Sequence, residues 1–168
     1  MQAIMHHEAA AGDASGPPLE RSTYLHPGQL HAVAAPATIV TVLGSCVSVC
    51  LFDAARGIGG MNHFLLPHHT VEQDASPRFG PAAVRQLYDA VLRLGASPRA
   101  LEAKMFGGAC VLEPAGTGRR ALGVQNVAVA RQLLADSGIP LRAEDVGGVR
   151  GRKLIFRVDD GAAWVRTL

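Results

Sequence analysis

Three cysteines in 168 residues, no apolar run near the length of a membrane span and no packed stripe of positive charge remove several classes of protein at the outset. An odd, small number of cysteines argues against a disulfide framework and for reduced thiols. Cys46 and Cys50 would also lie about 13 Å apart along one strand, at roughly 3.3 Å per residue, which exceeds disulfide reach. A spanning helix needs about 20 consecutive apolar residues, and the N-terminus lacks a basic region followed by an apolar stretch. The expectation is a cytoplasmic protein with neither anchor nor signal peptide and no direct membrane insertion. The formal net charge is only +2, and the arginines are scattered, so no nucleic-acid partner is expected. Neither G-x-x-x-x-G-K-S/T nor G-x-G-x-x-G occurs, so the glycines of Phe106-Gly107-Gly108-Ala109 and of the stretch 147–153 read as tight turns or close backbone packing, not as phosphate cradles. There is no internal repeat.

What is present suits one domain with a real core. Residues 1–23 are rich in Ala, Gly, His and Pro without an apolar period and read as a disordered or loosely attached tail, and residues 24–168 as a single domain. His6 and His7 are adjacent in that tail, where solvation outweighs metal binding. The β-branched run from Thr38 to Val42 predicts a short strand leading into Gly44. Val84, Leu87, Tyr88, Val91 and Leu92 recur at helical spacing with Gly95 beyond them, which predicts a helix over 81–94. Asn126 reads as the N-cap of a second helix over 127–136, closed by Gly138. Strands are expected from Leu101 to Met105, Cys110 to Leu112, Leu141 to Asp145, Lys153 to Val158 and Ala163 to Thr167, with Asp159-Asp160-Gly161 turning the last two into a hairpin. Trp164 should pack in the core. Strands outnumber helices, so the fold class is α+β, with a mainly antiparallel sheet and two principal helices packed against it.

The chemistry concentrates in Gly44-Ser45-Cys46 and in Asn62-His63. Cys46, Ser48, Cys50 and Phe52 alternate with Val47, Val49 and Leu51, and a second extended run places Met61, His63 and Leu65 on one face. A hairpin turning about Ala54 and Ala55 sets Cys46 opposite His63, with Cβ atoms about 4.5–5.5 Å apart. That is the spacing of a thiolate-imidazolium pair. A one-residue slip would send His63 to the other face. Thiol catalysis needs a neighbouring base, which His63 supplies, and His63 could return the proton to a leaving amine. Gly44 would let the backbone approach a substrate, and N–H groups around Ser45 and Cys46 could stabilise an oxyanion. The competing readings are a packed Cys-His pair, since both residue types are often buried for structural reasons, and a metal site of Cys46, Cys50, Cys110 and His63. The C-x3-C spacing inside a valine-rich strand disfavours a structural zinc site. His68 and His69, in the Pro-rich loop after the hairpin, are expected in solvent.

Taken together, TVLGSCVSVCLFD, GGMNHFLLP, RFG, KMFGGA, LGVQNV and EDVGGVRGRKLIF, in that order, resemble the chemoreceptor glutamine deamidase family, CheD. The resemblance runs from about Tyr24 to the C-terminus. It implies an α/β layered sandwich, Cys46 as nucleophile, His63 as its base, and a threonine shortly upstream as third catalytic residue, with Thr41 the best match and Thr38 nearby. It also implies a protein-glutamine deamidase that converts glutamine side chains on the cytoplasmic helices of methyl-accepting chemotaxis receptors to glutamate. No metal or organic cofactor is implied. Some members of that family bind a CheC-type phosphatase, so a non-catalytic adaptor of receptors and phosphatase is the alternative.

Overall fold

The computed structural model describes residues 4–7, 22–68, 75–110 and 119–168. In chain order its elements are β1 (Ile4–His7), β2 (Ser22–Tyr24), β3 (Leu30–Ala34), β4 (Thr38–Leu43), β5 (Val47–Asp53), β6 (Ile58–Asn62), α1 (Gly80–Arg93), β7 (Glu102–Gly107), α2 (Arg119–Asp136), β8 (Leu141–Val146), β9 (Arg152–Arg157) and β10 (Ala163–Thr167). The strands form two sheets, ordered β1-β10-β9-β4-β2 and β3-β6-β5-β7-β8. Most neighbours are antiparallel; β1 with β10, β2 with β4 and β7 with β8 are parallel. With two helices, the fold is an α+β layered sandwich.

The expected single sheet is thus divided in two, and β5 shows why. All seven of its residues are buried. Val47, Val49 and Leu51 join a cluster with Val84, Leu87 and Val91 of α1 and Val127, Ala130 and Leu134 of α2. Cys50 and Phe52, on the other face, join Ile39 and Leu43 of β4 with Leu154 and Phe156 of β9. A strand covered on both faces needs a layer on each side. The order of layers is therefore helices, inner sheet, outer sheet.

Several expectations are corrected in detail. The segment expected to be loose contributes β1, which pairs with β10 from Ile4↔Ala163 to His7↔Arg166. It supplies partners to a strand whose backbone groups would otherwise lie open at a sheet edge. Ser22–Tyr24, straddling the expected boundary, pairs with β4. Residues 1–3 and 8–21 of that segment lie outside the described residues. Helix α2 begins at Arg119, so Asn126 lies inside it and is not its cap. Cys110 is in no strand, and residues 111–112 of the strand expected there lie outside the described residues, as does His69. His68 is exposed, and Trp164 is 9% exposed.

The hairpin folds with a different turn. Asp53 pairs with Ile58 and Cys50 with Met61, so the loop holds Ala54 to Gly57. The Asp53 carbonyl accepts from Arg56 N–H at 3.2 Å, and Gly57 takes φ 60°, a left-handed conformation that suits glycine. Partners consequently shift by two residues, an even number, and every side chain keeps its expected face.

Candidate active site

The chain leaves the outer sheet at Leu43 and enters the inner sheet at Val47, so Gly44-Ser45-Cys46 is the corner between the layers. All three corner residues are partly exposed. Their carbonyls are each held: Gly44 O accepts from Ala109 N–H at 2.7 Å, Cys46 O from Gly108 N–H at 2.8 Å, and Ser45 O from Asn126 Nδ2 at 3.0 Å. In a trans peptide the N–H of the next residue points opposite to the carbonyl. The Ser45 and Cys46 N–H groups are therefore turned away from these anchors.

Close approach makes this possible. Gly107 and Gly108 have φ of 106° and 67°. A Cβ at Gly107 would strike the Cys46 carbonyl, and one at Gly108 would strike Val127 of α2. The glycines of KMFGGA therefore serve backbone packing around the corner.

His63 follows β6, where Asn62 interrupts the ladder to β5. Val49 N–H donates to Asn62 Oδ1 at 2.8 Å instead of to a backbone carbonyl, and Ser48 Oγ donates to the Asn62 carbonyl. Beyond the interruption, Val47 and Phe64 bond both ways, at 3.1 and 3.0 Å. On that register Ser48 stands opposite His63, and Cys46 is its diagonal neighbour on the same face. Diagonal residues are about 7–8 Å apart at Cα, a gap that an aromatic side chain spans. The expected directly opposite pairing of Cys46 and His63 is thus corrected to a diagonal one, as the two-residue shift requires. The His63 backbone is held from the other side, its N–H donating to Gln29 O at 2.9 Å and its carbonyl accepting from Gly28 N–H at 2.7 Å.

Thr41, on β4, lies between Ile39 and Leu43 and points into the layer between the sheets, where it is fully buried. Its Oγ1 is 2.8 Å from His63 Nδ1 and donates to the Leu25 carbonyl at 2.8 Å. A hydroxyl has one proton and a carbonyl has none. With that proton given to Leu25, Oγ1 can only accept from His63, so Nδ1 carries the ring hydrogen. Nε2 then holds a free lone pair, and it has no hydrogen-bond partner among the described residues.

Burial sets the charge state of both groups. His63 is 2% exposed, and burial lowers its pKa to about 4; the nearby Leu25 carbonyl works the other way, and His26 adds to the lowering. Burial also raises the Cys46 thiol above its ordinary value, against a smaller opposite effect of its own backbone N–H. Both shifts favour the neutral forms, thiol and imidazole, at neutral pH.

Of the sequence-derived candidates, Cys46, His63 and Thr41 converge on one region between the sheets, with Gly44 and Ser45 forming its exposed corner. Cys50 is also fully buried between the sheets, its thiol pushed up by burial. Cys110 N–H is bound to Gly148 O at 2.8 Å, which brings the 147–151 loop between β8 and β9 beside the corner. Arg152, the first residue of β9, is buried, and its guanidinium is enclosed by Asp145 and the Gly147 carbonyl. Sequence reasoning missed Leu25, whose contribution is a carbonyl that any residue could supply. It also misread Asn126, although the order of glycine and asparagine three apart in LGVQNV, on one helix face, carried a signal.

Comparison with known proteins places the chain among a well-defined group. The family model described as "CheD chemotactic sensory transduction" matches residues 65–167. A protein of Anaeromyxobacter dehalogenans named "Probable chemoreceptor glutamine deamidase CheD 1" is 57% identical over 159 residues, covering 95% of this chain and 92% of the relative. Proteins of Rhodospirillum rubrum and Sulfurimonas denitrificans named "Probable chemoreceptor glutamine deamidase CheD" are 44% and 38% identical, covering 86% and 85% of this chain and 81% and 92% of the relatives.

Proposed function

The chain belongs to the CheD family, and on that premise we propose that it is a cysteine-dependent deamidase that hydrolyses glutamine side chains on chemotaxis receptors to glutamate and ammonia. The observation that carries the chemistry is the hydrogen bond from His63 Nδ1–H to Thr41 Oγ1, which leaves the Nε2 lone pair without a partner among the described residues.

The reaction begins from neutral groups. As the Cys46 sulfur attacks the side-chain amide carbon, His63 Nε2 takes the thiol proton, and the positive ring is held by Thr41 and, through it, by the Leu25 carbonyl. Negative charge develops on the amide oxygen, where the outward N–H groups of Ser45 and Cys46 are oriented to meet it. Collapse breaks the C–N bond, and His63 gives its proton to the departing ammonia. Water, deprotonated by the same nitrogen, then hydrolyses the thioester to release glutamate and restore the thiol. Side-chain and backbone groups supply every step, so the reading requires no cofactor.

The substrate comes from the family, whose members are named for chemoreceptors. Receptor cytoplasmic helices are the proposed partner, and the cytoplasm the proposed location. No helix among the described residues is long and apolar enough to cross a membrane. The test is to mix the protein with receptor cytoplasmic fragments and follow conversion of glutamine to glutamate by mass spectrometry. Conversion by wild type and its loss in Cys46→Ala and His63→Ala is the expected result. Receptor binding without conversion by wild type would refute the enzyme and favour the adaptor, with binding to a CheC-type phosphatase as its next test.

A further inference from the structure

We propose that Asn126 is a positioning residue of this site, one that sets the nucleophile corner against the base; the proposal rests on the deamidase reading. Its Nδ2 makes two hydrogen bonds, to Ser45 O at 3.0 Å and to Leu65 O at 2.9 Å. Ser45 directly precedes Cys46, and Leu65 lies two residues after His63. One amide group thus ties the segment bearing the thiol to the segment bearing the imidazole, and anchors both to α2.

The side chain is fully buried, and its Oδ1 has no hydrogen-bond partner among the described residues. The contacts that hold this asparagine are those of its nitrogen. The opposite amide orientation would set Oδ1 against two carbonyl oxygens, and the two acceptors therefore fix which end is nitrogen. Helix α2 can bring the amide this close because Gly123, one turn earlier, leaves room for the Gly108 and Ala109 carbonyls.

The consequence reaches the oxyanion. Drawing the Ser45 carbonyl toward α2 turns the Cys46 N–H the opposite way, through the shared peptide plane. Without Asn126, that plane is free to rotate, and the donor loses its aim.

The test is Asn126→Ala in the full-length protein, with folding verified by thermal melting. Deamidation of receptor fragments should show kcat lowered by about 100-fold, as for other small displacements of reacting groups, with KM changed less than about threefold. Alkylation by iodoacetamide supplies a second readout in the same protein. Cys46 should react about tenfold more slowly for want of its aligned base, while Cys110 serves as the internal reference. An Asn126→Ala protein that melts lower but keeps wild-type kcat and a wild-type Cys46 alkylation rate overturns the proposal. If Asn126→Ala does not fold, Asn126→Ser, which keeps one donor, is judged by the same two readouts. A wild-type protein that fails to deamidate would defeat the functional reading, and the alkylation ratio would still decide on Asn126.

Discussion

Replacing Thr41 by valine keeps the side-chain shape and removes the hydroxyl that holds the His63 ring. Two hydrogen bonds go with it, the one from Nδ1–H at 2.8 Å and the one to Leu25 O at 2.8 Å. Leaving a buried group bare costs about 1–3 kcal/mol, so losing both lowers stability by about 2–6 kcal/mol. The catalytic loss is a separate quantity. In the proposed reaction the ring is neutral at rest and positive as the thiol is deprotonated, and Oγ1 is the acceptor facing Nδ1–H when that charge forms. At 1.36 kcal/mol per factor of ten, a transition-state loss of about 1–3 kcal/mol lowers kcat roughly 5- to 150-fold. The ring hydrogen is also no longer confined to Nδ1, and a hydrogen on Nε2 blocks proton abstraction from the thiol. The assay is deamidation of a receptor cytoplasmic fragment at saturating concentration, with Thr41→Ser as the control that keeps both bonds. Thr41→Ser should stay within several-fold of wild type. A folded Thr41→Val protein turning over at the wild-type rate would refute the assignment of tautomer and base.

The remaining predictions concern pH and packing. The folded His63 pKa of about 4, set against an ordinary 6.5, means that the unfolded chain binds a proton in that window that the folded chain does not. This contribution to stability is complete above pH 6.5 and is lost as pH falls toward 4, by about 3 kcal/mol at 1.36 kcal/mol per pH unit. Urea midpoints of wild type and His63→Gln between pH 7 and 4.5 check it; equal losses in both proteins would contradict the buried neutral ring. Gly107→Ala should lower both melting temperature and kcat, because its φ of 106° disfavours a side chain and the added Cβ meets the Cys46 carbonyl. Backbone strain of about 1–3 kcal/mol adds to about 1–3 kcal/mol of overpacking, read by calorimetry. A Gly107→Ala protein as stable and active as wild type would show that the corner does not depend on this contact.

Much of this arrangement was legible because the governing signals are local. Alternation in CVSVCLF put Cys46, Ser48 and Cys50 on one face, and the structure keeps them there. The apolar stripe of α1 set its expected range within a residue of the observed Gly80–Arg93, and the Asp159-Asp160-Gly161 turn joins β9 to β10, with Gly161 at φ 69°. What escaped was set by contacts between distant segments. Nothing local says that Thr38–Leu43 and Val47–Asp53, three residues apart, belong to different sheets. The Asn62 side chain, replacing a backbone acceptor, has no periodic signature. The four residues after Asp53 offered two plausible turn centres, and Gly57 decided between them through a backbone angle. Asn126 resembles a cap in isolation because asparagine favours that position; its partners lie 81 and 61 residues away.

The neutral pair bears on how the proposed amide hydrolysis would proceed. A buried imidazole with a pKa near 4 is a weak base, and a thiol raised by burial is a reluctant acid. The first proton transfer is therefore uphill, and a solvated ion pair would make the attack easier. Amide hydrolysis, however, must also expel an amine, which leaves only when protonated. An imidazolium that holds its proton weakly is a strong donor to that nitrogen. On the proposed mechanism, burial shifts advantage from attack toward expulsion, while Thr41, the Leu25 carbonyl and the outward N–H groups of the corner offset part of the cost of attack. Those compensating groups come from β4, the segment before β3, and the corner between sheets. The two-sheet architecture is therefore the means by which a base can be buried and still be oriented.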